Sequence, residues 1–264
     1  MTQAPDKSVT ADRAAELLRL HRDPELLTVV NVWDVVSARV VAASPGTKAL
    51  ATASHSIAAT FGYDDGEQIP VDLMLEMVGR IVADSDLPVT ADLEAGYGHA
   101  VETVRRAIGL GVVGGNIEDQ MKPLTEAAGQ VEAIMRVAAE EGVDFVLNAR
   151  TDAFVLGRDR DPADVLADAV GRGRAFLDAG APVVFVPAML NEEQVATLVD
   201  AFGPQRLSCI GIPGMPSLAR LAELGVARVS YGPMPQRVAL TALQELVEEI
   251  HRGGEVPSTM RNLT

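Results

Sequence analysis

The feature that most constrains the fold is a regular alternation of short apolar runs with longer amphipathic segments along the whole chain. The apolar runs are nearly continuous, which is typical of parallel strands covered on both faces. The predicted strands are Thr28–Trp33, Lys48–Ala53, Pro88–Leu93, Val112–Glu118, Asp144–Arg150, Pro182–Pro187, Arg206–Ile210 and Val226–Tyr231. Eight strand–helix alternations in 264 residues predict an α/β fold, a single (β/α)8 TIM barrel domain covering 1–264.

The region around the first predicted strand refines this interpretation. Thr10–His21 has the pattern of an extra N-terminal helix, which we expect to lie across the bottom of the barrel. The structural alternative is a doubly wound open sheet, in which a glycine-rich dinucleotide loop often follows the first strand. Here that position reads Asn31-Val32-Trp33-Asp34, so the sequence favours the closed barrel.

Charge and composition exclude several classes of partner. The net charge is −15, with no basic patch, which argues against a nucleic-acid partner. The single cysteine, Cys209, excludes an intramolecular disulfide and a multi-cysteine metal site. The first twenty residues contain no apolar run of the signal-peptide type, and no stretch is apolar enough for a membrane helix. These observations predict a cytoplasmic protein without a membrane partner.

Acidic residues follow three successive predicted strands. Asp92 and Glu94 end the third strand and share one face, since side chains two residues apart on a strand point the same way. The next two strands end in Glu118-Asp119 and in Arg150-Thr151-Asp152. Active sites of such barrels lie at the carboxyl ends of the strands. Clustered carboxylates repel one another unless a cation or a raised pKa relieves them, so the pattern indicates a metal or acid–base site. Taken singly, each acid could equally be a helix cap.

Three segments together resemble the isocitrate lyase/phosphoenolpyruvate mutase superfamily. They are Asp92–Gly98 (DLEAGYG), Ile117–Gln120 (IEDQ) and Asn148–Phe154 (NARTDAF). Their order and spacing match from about Asn31 to Tyr231. The resemblance implies a (β/α)8 barrel that binds Mg2+, with Mn2+ as a substitute. It also implies a small 2-oxo or 2-hydroxy carboxylate substrate that reacts through an enolate.

The resemblance also assigns roles to individual side chains. Asp92 would ligate the metal directly or through water, while Glu94 and Glu118 would hold its water ligands. Arg150 matches the arginine that binds the substrate carboxylate in this superfamily, and Asp65 matches an acid near the substrate. Arg150, Glu118 and Asp65 are therefore the predicted catalytic residues. Mg2+ prefers oxygen ligands and commonly keeps several waters, which is consistent with such a set.

The predicted substrate-binding residues follow the first two strands. By the same likeness, the turn Ala53-Ser54-His55 would form a cradle of backbone N–H groups and a hydroxyl around the 2-oxo acid. Trp33 and Asp34 would line the same pocket. The full substrate-binding set is Trp33, Asp34, Ala53, Ser54, His55 and Arg150.

The sequence departs from the superfamily in the loop after the fourth strand. The lyase branch has a Lys-Arg-Cys-Gly-His loop whose cysteine delivers a proton, whereas Gln120–Glu126 contains no cysteine. Of the Lys-Thr-Asn-Ser run of the mutase branch, only Thr125 remains. Cys209 is predicted to be a core residue, so His55 and His99 are the remaining candidate proton carriers. Gln120–Gln130 is predicted to be a mobile gate over the barrel mouth, the end of the barrel at which the carboxyl ends of the strands lie.

The predicted activity is metal-dependent carbon–carbon bond cleavage of a small carboxylate, a lyase reaction. Two alternatives stay open: a phosphonate P–C bond enzyme of the phosphoenolpyruvate mutase or phosphonopyruvate hydrolase type, and a carboxylate-binding barrel without turnover. The last helix, Val238–His251, has a broad apolar stripe. In related barrels this helix packs on a neighbouring subunit, which implies a homodimer or homotetramer. Alternatively, the stripe closes the helix onto its own barrel.

Overall fold

The computed structural model of the protein describes residues 6–263. Within that range, nine short strands form one sheet, and every pair of neighbouring strands is parallel. The strands are β1 (Leu27–Val29), β2 (Asn31–Val32), β3 (Leu50–Thr52), β4 (Val89–Asp92), β5 (Gly114–Glu118), β6 (Val146–Arg150), β7 (Val183–Val186), β8 (Leu207–Ile210) and β9 (Arg228–Ser230).

The sheet closes on itself through the first strand. Its order is β1-β9-β8-β7-β6-β5-β4-β3-β2, so β1 and β2 lie at its two ends. Only Val30 separates β1 from β2, which makes them two halves of one barrel strand. The first half pairs with β9 and the second with β3. The predicted (β/α)8 barrel is therefore confirmed.

Helices surround the sheet and connect its strands. They are α1 (Lys7–Arg22), α2 (Val35–Ala42), α3 (Ser54–Thr60), α4 (Val71–Ala83), α5 (Ala100–Gly109), α6 (Leu124–Glu140), α7 (Ala153–Leu156), α8 (Pro162–Asp178), α9 (Glu192–Phe202), α10 (Leu218–Glu223) and α11 (Met234–His251). The short helix α3 begins two residues after β3 ends, so its first residues lie directly at the barrel mouth.

The extra N-terminal helix α1 covers the amino ends of the strands. Leu17 is fully buried, and its Cδ2 atom lies 2.8 Å from the position that a Cβ would take at Gly114, the first residue of β5. A side chain at Gly114 would collide with the Leu17 side chain and with the Val146 carbonyl, so glycine at this position lets α1 pack closely against β5. At the edge of the helix, Arg13 pairs with Asp86, which lies just before β4, at 3.4 Å. The predicted extra helix at the barrel bottom is confirmed.

The C-terminal helix α11 is attached to the barrel at its start and exposed along the rest of its length. Gln236 is the buried residue of this helix. Val238, Leu240 and Leu243 are 55–70% exposed, so the apolar stripe does not close the helix onto its own barrel. Neither α11 nor any other helix between residues 6 and 263 is long and apolar enough to cross a membrane.

Candidate active site

A cavity of about 230 Å³ opens at the carboxyl ends of the strands. Its lining includes Asn31, Ala53, Ser54, His55, Asp65, Asp92, Asn116, Arg150 and Arg237. Six of these residues were predicted from the sequence to belong to the site. These six residues follow the second, third and fifth strands of the barrel, if β1 and β2 are counted as one strand. The fold therefore brings them together around one small polar cavity.

Asp92 ends β4 and is held by the turn after β3. Its Oδ2 atom accepts hydrogen bonds from the Ser54 hydroxyl at 2.7 Å and from the Ser54 backbone N–H at 3.3 Å. The Asn116 amide donates to Oδ1 at 3.4 Å. The Asp92 backbone N–H in turn donates to the Thr52 hydroxyl at 3.0 Å. The carboxylate is thus fixed in the cavity wall by neighbours from β3, α3 and β5.

Glu94 lies in a strained and closely bonded loop. Its Oε1 accepts a hydrogen bond from the Tyr97 hydroxyl at 3.0 Å, and its Oε2 accepts one from the Glu67 backbone N–H. Glu67, Glu94 and Tyr97 have φ angles of 63°, 51° and 56°, in the left-handed region that favours glycine. Such strain persists where surrounding contacts impose it, and it clusters at functional sites. Burial, and then the Asp92 charge, raises the pKa of Glu94 to about 7.

Glu118 and Arg150 meet because β5 and β6 pair in register at these two residues. Arg150 Nη1 lies 2.6 Å from Glu118 Oε2, and its Nη2 lies 2.7 Å from Asp152 Oδ1. The guanidinium is therefore clamped between two carboxylates and retains further N–H donors for an anion in the cavity. Burial outweighs the attraction of Arg150 and raises the pKa of Glu118 to about 8.

Asp119 and Arg172 form a buried ion pair behind the mouth, which the sequence did not predict. Asp119 Oδ2 accepts a hydrogen bond from Arg172 Nη1 at 3.0 Å, and Asp119 Oδ1 accepts from the backbone N–H groups of Met121 and Asp152, also at 3.0 Å. The pair thereby connects the loop after β5 to the residue that holds Arg150.

The segment Gln120–Gln130, which the sequence predicted to be a mobile gate, is mostly helical in the structure. Helix α6 begins at Leu124, so only Gln120–Pro123 forms a loop. Arg172 Nη1 also donates to the Lys122 carbonyl at 3.0 Å, which ties that loop to α8. Most of the predicted gate is therefore the first turns of a helix, and the loop before it is short and hydrogen-bonded.

Several predicted site residues do not line the cavity. The carboxylate of Asp34 caps α2, where it accepts a hydrogen bond from the Ser37 backbone N–H at 2.6 Å. Trp33 packs against the hydrophobic core. The assignment of these two residues to substrate binding therefore has no support in this geometry. His99 lies exposed at the start of α5 and outside the lining, whereas His55 lines the cavity and its buried Nδ1 has no hydrogen-bond partner.

The sequence reasoning missed a set of asparagines in the barrel interior. Asn148 donates to Asn116 Oδ1 at 2.7 Å, and Asn116 in turn donates to Asp92. Both asparagines precede a predicted site residue by two positions, so the two-residue period of a strand places them on the same inward face. That signal was present in the sequence and could have identified them.

The carboxylates at the mouth suit a hydrated ion rather than a fully protein-ligated one. Between residues 6 and 263, no group of three His, Cys, Asp or Glu side chains is arranged to bind one metal directly. Mg2+ commonly uses one or two carboxylates and keeps several waters. The raised pKa values of Glu94 and Glu118 reflect crowded, buried acids that a nearby cation would stabilise in their charged form. The donor set therefore fits Mg2+ bound through Asp92 and water.

The fold and the site together define a class of protein. It is a (β/α)8 barrel in which Asp92 of β4 and Arg150 of β6 line one cavity, while Glu118 of β5 lies outside the lining and pairs with Arg150. The sequence pattern of the family described as phosphoenolpyruvate phosphomutase matches residues 17–251. The chain belongs to this family, within the isocitrate lyase/phosphoenolpyruvate mutase superfamily. That superfamily comprises Mg2+-dependent mutases and lyases that act on carboxylate substrates.

Individual relatives cover most of the chain. A crystal structure from Burkholderia cenocepacia J2315, provisionally named a phosphonomutase, is 41% identical with a TM-score of 0.84, covering 90% of this chain and 99% of that one. The oxaloacetate decarboxylase of Ectopseudomonas mendocina (strain ymp) is 30% identical, covering 85% of this chain and 79% of the relative. The 2,3-dimethylmalate lyase of Eubacterium barkeri is 26% identical, with coverages of 89% and 84%.

Proposed function

We propose that the protein is a Mg2+-dependent lyase that cleaves a C–C bond in a small 2-oxo or 2-hydroxy carboxylate through an enolate. The observation that supports this most is the position of Asp92 and Arg150 in the wall of one cavity of about 230 Å³. Pockets for drug-sized ligands begin at about 300 Å³, so this space suits a substrate of a few carbons.

Arg150 is the residue that would bind the substrate carboxylate. Its contacts with Glu118 and Asp152 at 2.6 and 2.7 Å hold the guanidinium plane against the cavity wall. A planar guanidinium fork can bind a carboxylate through two parallel hydrogen bonds, which also orients the substrate. Glu118 and Asp152 therefore act as positioning residues for Arg150. Ser54, which already bonds to Asp92, would present the adjacent backbone turn to the substrate.

The acids of the mouth would hold the ion. Asp92 would bind Mg2+, and Glu94 and Glu118 would bind its water ligands. When bound, Mg2+ supplies a Lewis acid that stabilises negative charge on the substrate oxygen next to the bond that breaks. Asp65, an exposed residue of the lining, borders the same space at its solvent side.

Protonation of the enolate requires a proton donor other than cysteine. Cys209 is completely buried on β8, and burial raises the pKa of its thiol to about 12, so it remains a core thiol. His55 lines the cavity, and imidazole is the side chain whose unperturbed pKa best suits proton transfer near neutral pH. We therefore assign the proton-carrying role to His55.

A second candidate is a phosphonate P–C bond enzyme. It is favoured by the description of the matched family and by the provisional name of the 41%-identical relative. The loop after β5 argues against it, because Gln120–Glu126 retains only Thr125 of the polar run of the mutase branch. A carboxylate-binding barrel without turnover is the remaining alternative.

The experiment is a substrate screen with Mg2+ and with Mn2+. Oxaloacetate, malate and alkylated malates are assayed for release of pyruvate, glyoxylate or another oxo acid, and phosphonopyruvate is assayed for rearrangement and for phosphate release. We expect oxo-acid release that chelation abolishes and that Arg150→Gln lowers by at least about a hundredfold. Turnover of phosphonopyruvate alone would favour the second candidate. Tight binding of oxalate, a stable mimic of the pyruvate enolate, without any turnover would favour the non-catalytic barrel.

A further inference from the structure

A second cavity opens at the opposite end of the barrel from the candidate active site. Its volume is about 360 Å³, and it lies between the end of α1, the end of α8 and the segments that enter β7 and β8. Within residues 6–263, its lining contains Arg22, Arg206 and His21 but no aspartate or glutamate. In a chain with a net charge of −15, such a lining forms a local positive site that attracts anions.

The two arginines are not neutralised by neighbouring carboxylates. Among the residues that the structure describes, Arg22 and Arg206 form no ion pair. Asp23, which follows Arg22 in the chain, is already paired with Arg19 at 3.2 Å. Arg22 and Arg206 are both exposed, so their guanidinium groups can bind an anion that enters from solution.

The backbone that carries each arginine is fixed. Arg22 is the last residue of α1, which packs under the strands. On the other side of the cavity, the Gln205 N–H donates to the Gly225 carbonyl at 2.8 Å, and the Arg206 carbonyl accepts from the Val184 N–H at 2.9 Å. Gln205 has a φ of 57°, a strained conformation of the kind that clusters at ligand sites. Fixed attachment points lower the entropy cost of ordering the two side chains around a ligand.

His21 adds a buried polar group to the wall of this cavity. Its Nδ1 atom lies 2.8 Å from the Leu17 carbonyl oxygen, which can only accept, so Nδ1 carries the ring proton. The ring is neutral at pH 7 because burial lowers its pKa to about 3. Nε2 is therefore an acceptor, and it is buried without a hydrogen-bond partner in the described part of the chain. Since buried polar atoms are normally paired, this acceptor indicates a ligand or a water with a hydroxyl donor.

We propose that this cavity binds a small phosphate monoester that carries a hydroxyl group, with Arg22 and Arg206 on the phosphate. A phosphate monoester has a charge of about −1.5 to −2 at pH 7 and three acceptor oxygens, so two guanidinium groups can bind it at once. A carboxylate has one negative charge, and a single guanidinium fork satisfies it. Ligand pockets span about 300–1,000 Å³, so this cavity suits a compact ester. Because the cavity lies away from the barrel mouth, the ester binds there as a ligand and not as a substrate.

The probe is glycerol 3-phosphate, titrated by phosphorus NMR without divalent metal and at constant ionic strength. Glycerate, which carries a carboxylate in place of the phosphate ester, is titrated as a competitor. The variants are Arg22→Gln, Arg206→Gln and the double variant. Arg136→Gln is the matched control, because it removes an exposed arginine of α6 outside the cavity lining. Arg150→Gln removes the arginine of the candidate active site, which shows whether the ester binds there instead.

We expect saturable binding of the ester to the wild type and about tenfold weaker binding of glycerate. Each single variant should lose about tenfold in affinity, a loss that is limited because both arginines are exposed to solvent. Arg136→Gln and Arg150→Gln should bind the ester as the wild type does. Arg22→Gln and Arg206→Gln should keep the wild-type melting temperature, since exposed side chains without partners contribute little to stability.

Four results would overturn the assignment. They are the absence of saturable binding to the wild type, an unchanged affinity in the double variant, a loss of binding in Arg150→Gln, and binding of glycerate as tight as that of the ester. Each of them leaves the proposed lyase function untouched, because the candidate active site lies at the other end of the barrel.

Discussion

Replacing Arg172 with methionine is predicted to destabilise the protein by about 3–5 kcal/mol. The side chains of Arg172 and Asp119 are 9% and 2% exposed, so the pair is removed from water. Methionine approximates the aliphatic stem of arginine but offers no donor. The variant would leave the Asp119 carboxylate buried, with its Oδ2 atom deprived of the bond at 3.0 Å.

The magnitude follows from what remains around Asp119. Removing one partner of a buried ion pair leaves an uncompensated charge, which costs about 3–5 kcal/mol. Loss of the hydrogen bond from Arg172 Nη1 to the Lys122 carbonyl adds on the order of 1 kcal/mol. The bonds from the Met121 and Asp152 N–H groups to Oδ1 persist, and they keep the loss within this range. Adding Asp119→Asn removes the charge but retains an amide oxygen, so the double variant should recover about 2 kcal/mol or more.

The assay is urea unfolding of the wild type, both single variants and the double variant at one protein concentration. Arg174→Met is the control, because Arg174 lies on the same helix and is exposed, and it should cost less than about 1 kcal/mol. A loss below about 1 kcal/mol in Arg172→Met would refute the reasoning. So would a double variant whose loss equals the sum of the two single losses.

Two further properties can be predicted. Burial lowers the pKa of His21 to about 3. As the pH falls below about 6.5, the unfolded chain therefore binds a proton at His21 that the folded chain does not bind, and the folded state loses stability. On going from pH 7.5 to pH 5, His21→Leu should therefore lose about 2 kcal/mol less than the wild type in urea unfolding; equal losses would contradict this. The exposed apolar side chains Val238, Leu240 and Leu243 of α11 predict a homodimer or homotetramer, and a light-scattering mass of one 27.9 kDa chain at micromolar concentration would exclude it.

The sequence predicted the barrel because its signal is local and repeated. Each parallel strand is covered on both faces, so it leaves a compact apolar run whose end can be located within a few residues. The predicted strand Asp144–Arg150, for example, corresponds to β6 at Val146–Arg150. The rule that active sites lie at the carboxyl ends of the strands then identified Asp92, Glu118 and Arg150 as neighbours without knowledge of the strand register.

The contacts that hold the site were not predictable, because they join distant parts of the chain. Arg172 and Asp119 are 53 residues apart, and no local pattern relates them. Asn31 accepts hydrogen bonds from backbone groups 200 and 201 residues away. The local structure of the predicted gate was not predictable for a related reason: glycine and proline suggested a loop at Gln120–Gln130, whereas Pro123 occupies the N-cap position of α6. The mobility of this segment stays a prediction. Proline near the first turn of a helix is well tolerated, so it did not indicate a long loop.

The measurement that tests the central claim most directly is metal binding to Asp92→Ala. Calorimetry with Mn2+ and with Mg2+ should show that the wild type binds and that the variant loses at least about tenfold in affinity. Its metal-free melting temperature should hold or rise, because the Asp92 charge no longer repels Glu94 and Glu118. Asp34→Ala is the matched control: it removes a helix cap and should lower the metal-free melting temperature while the metal response persists. If Asp92→Ala bound metal with wild-type affinity, the proposed site would be wrong.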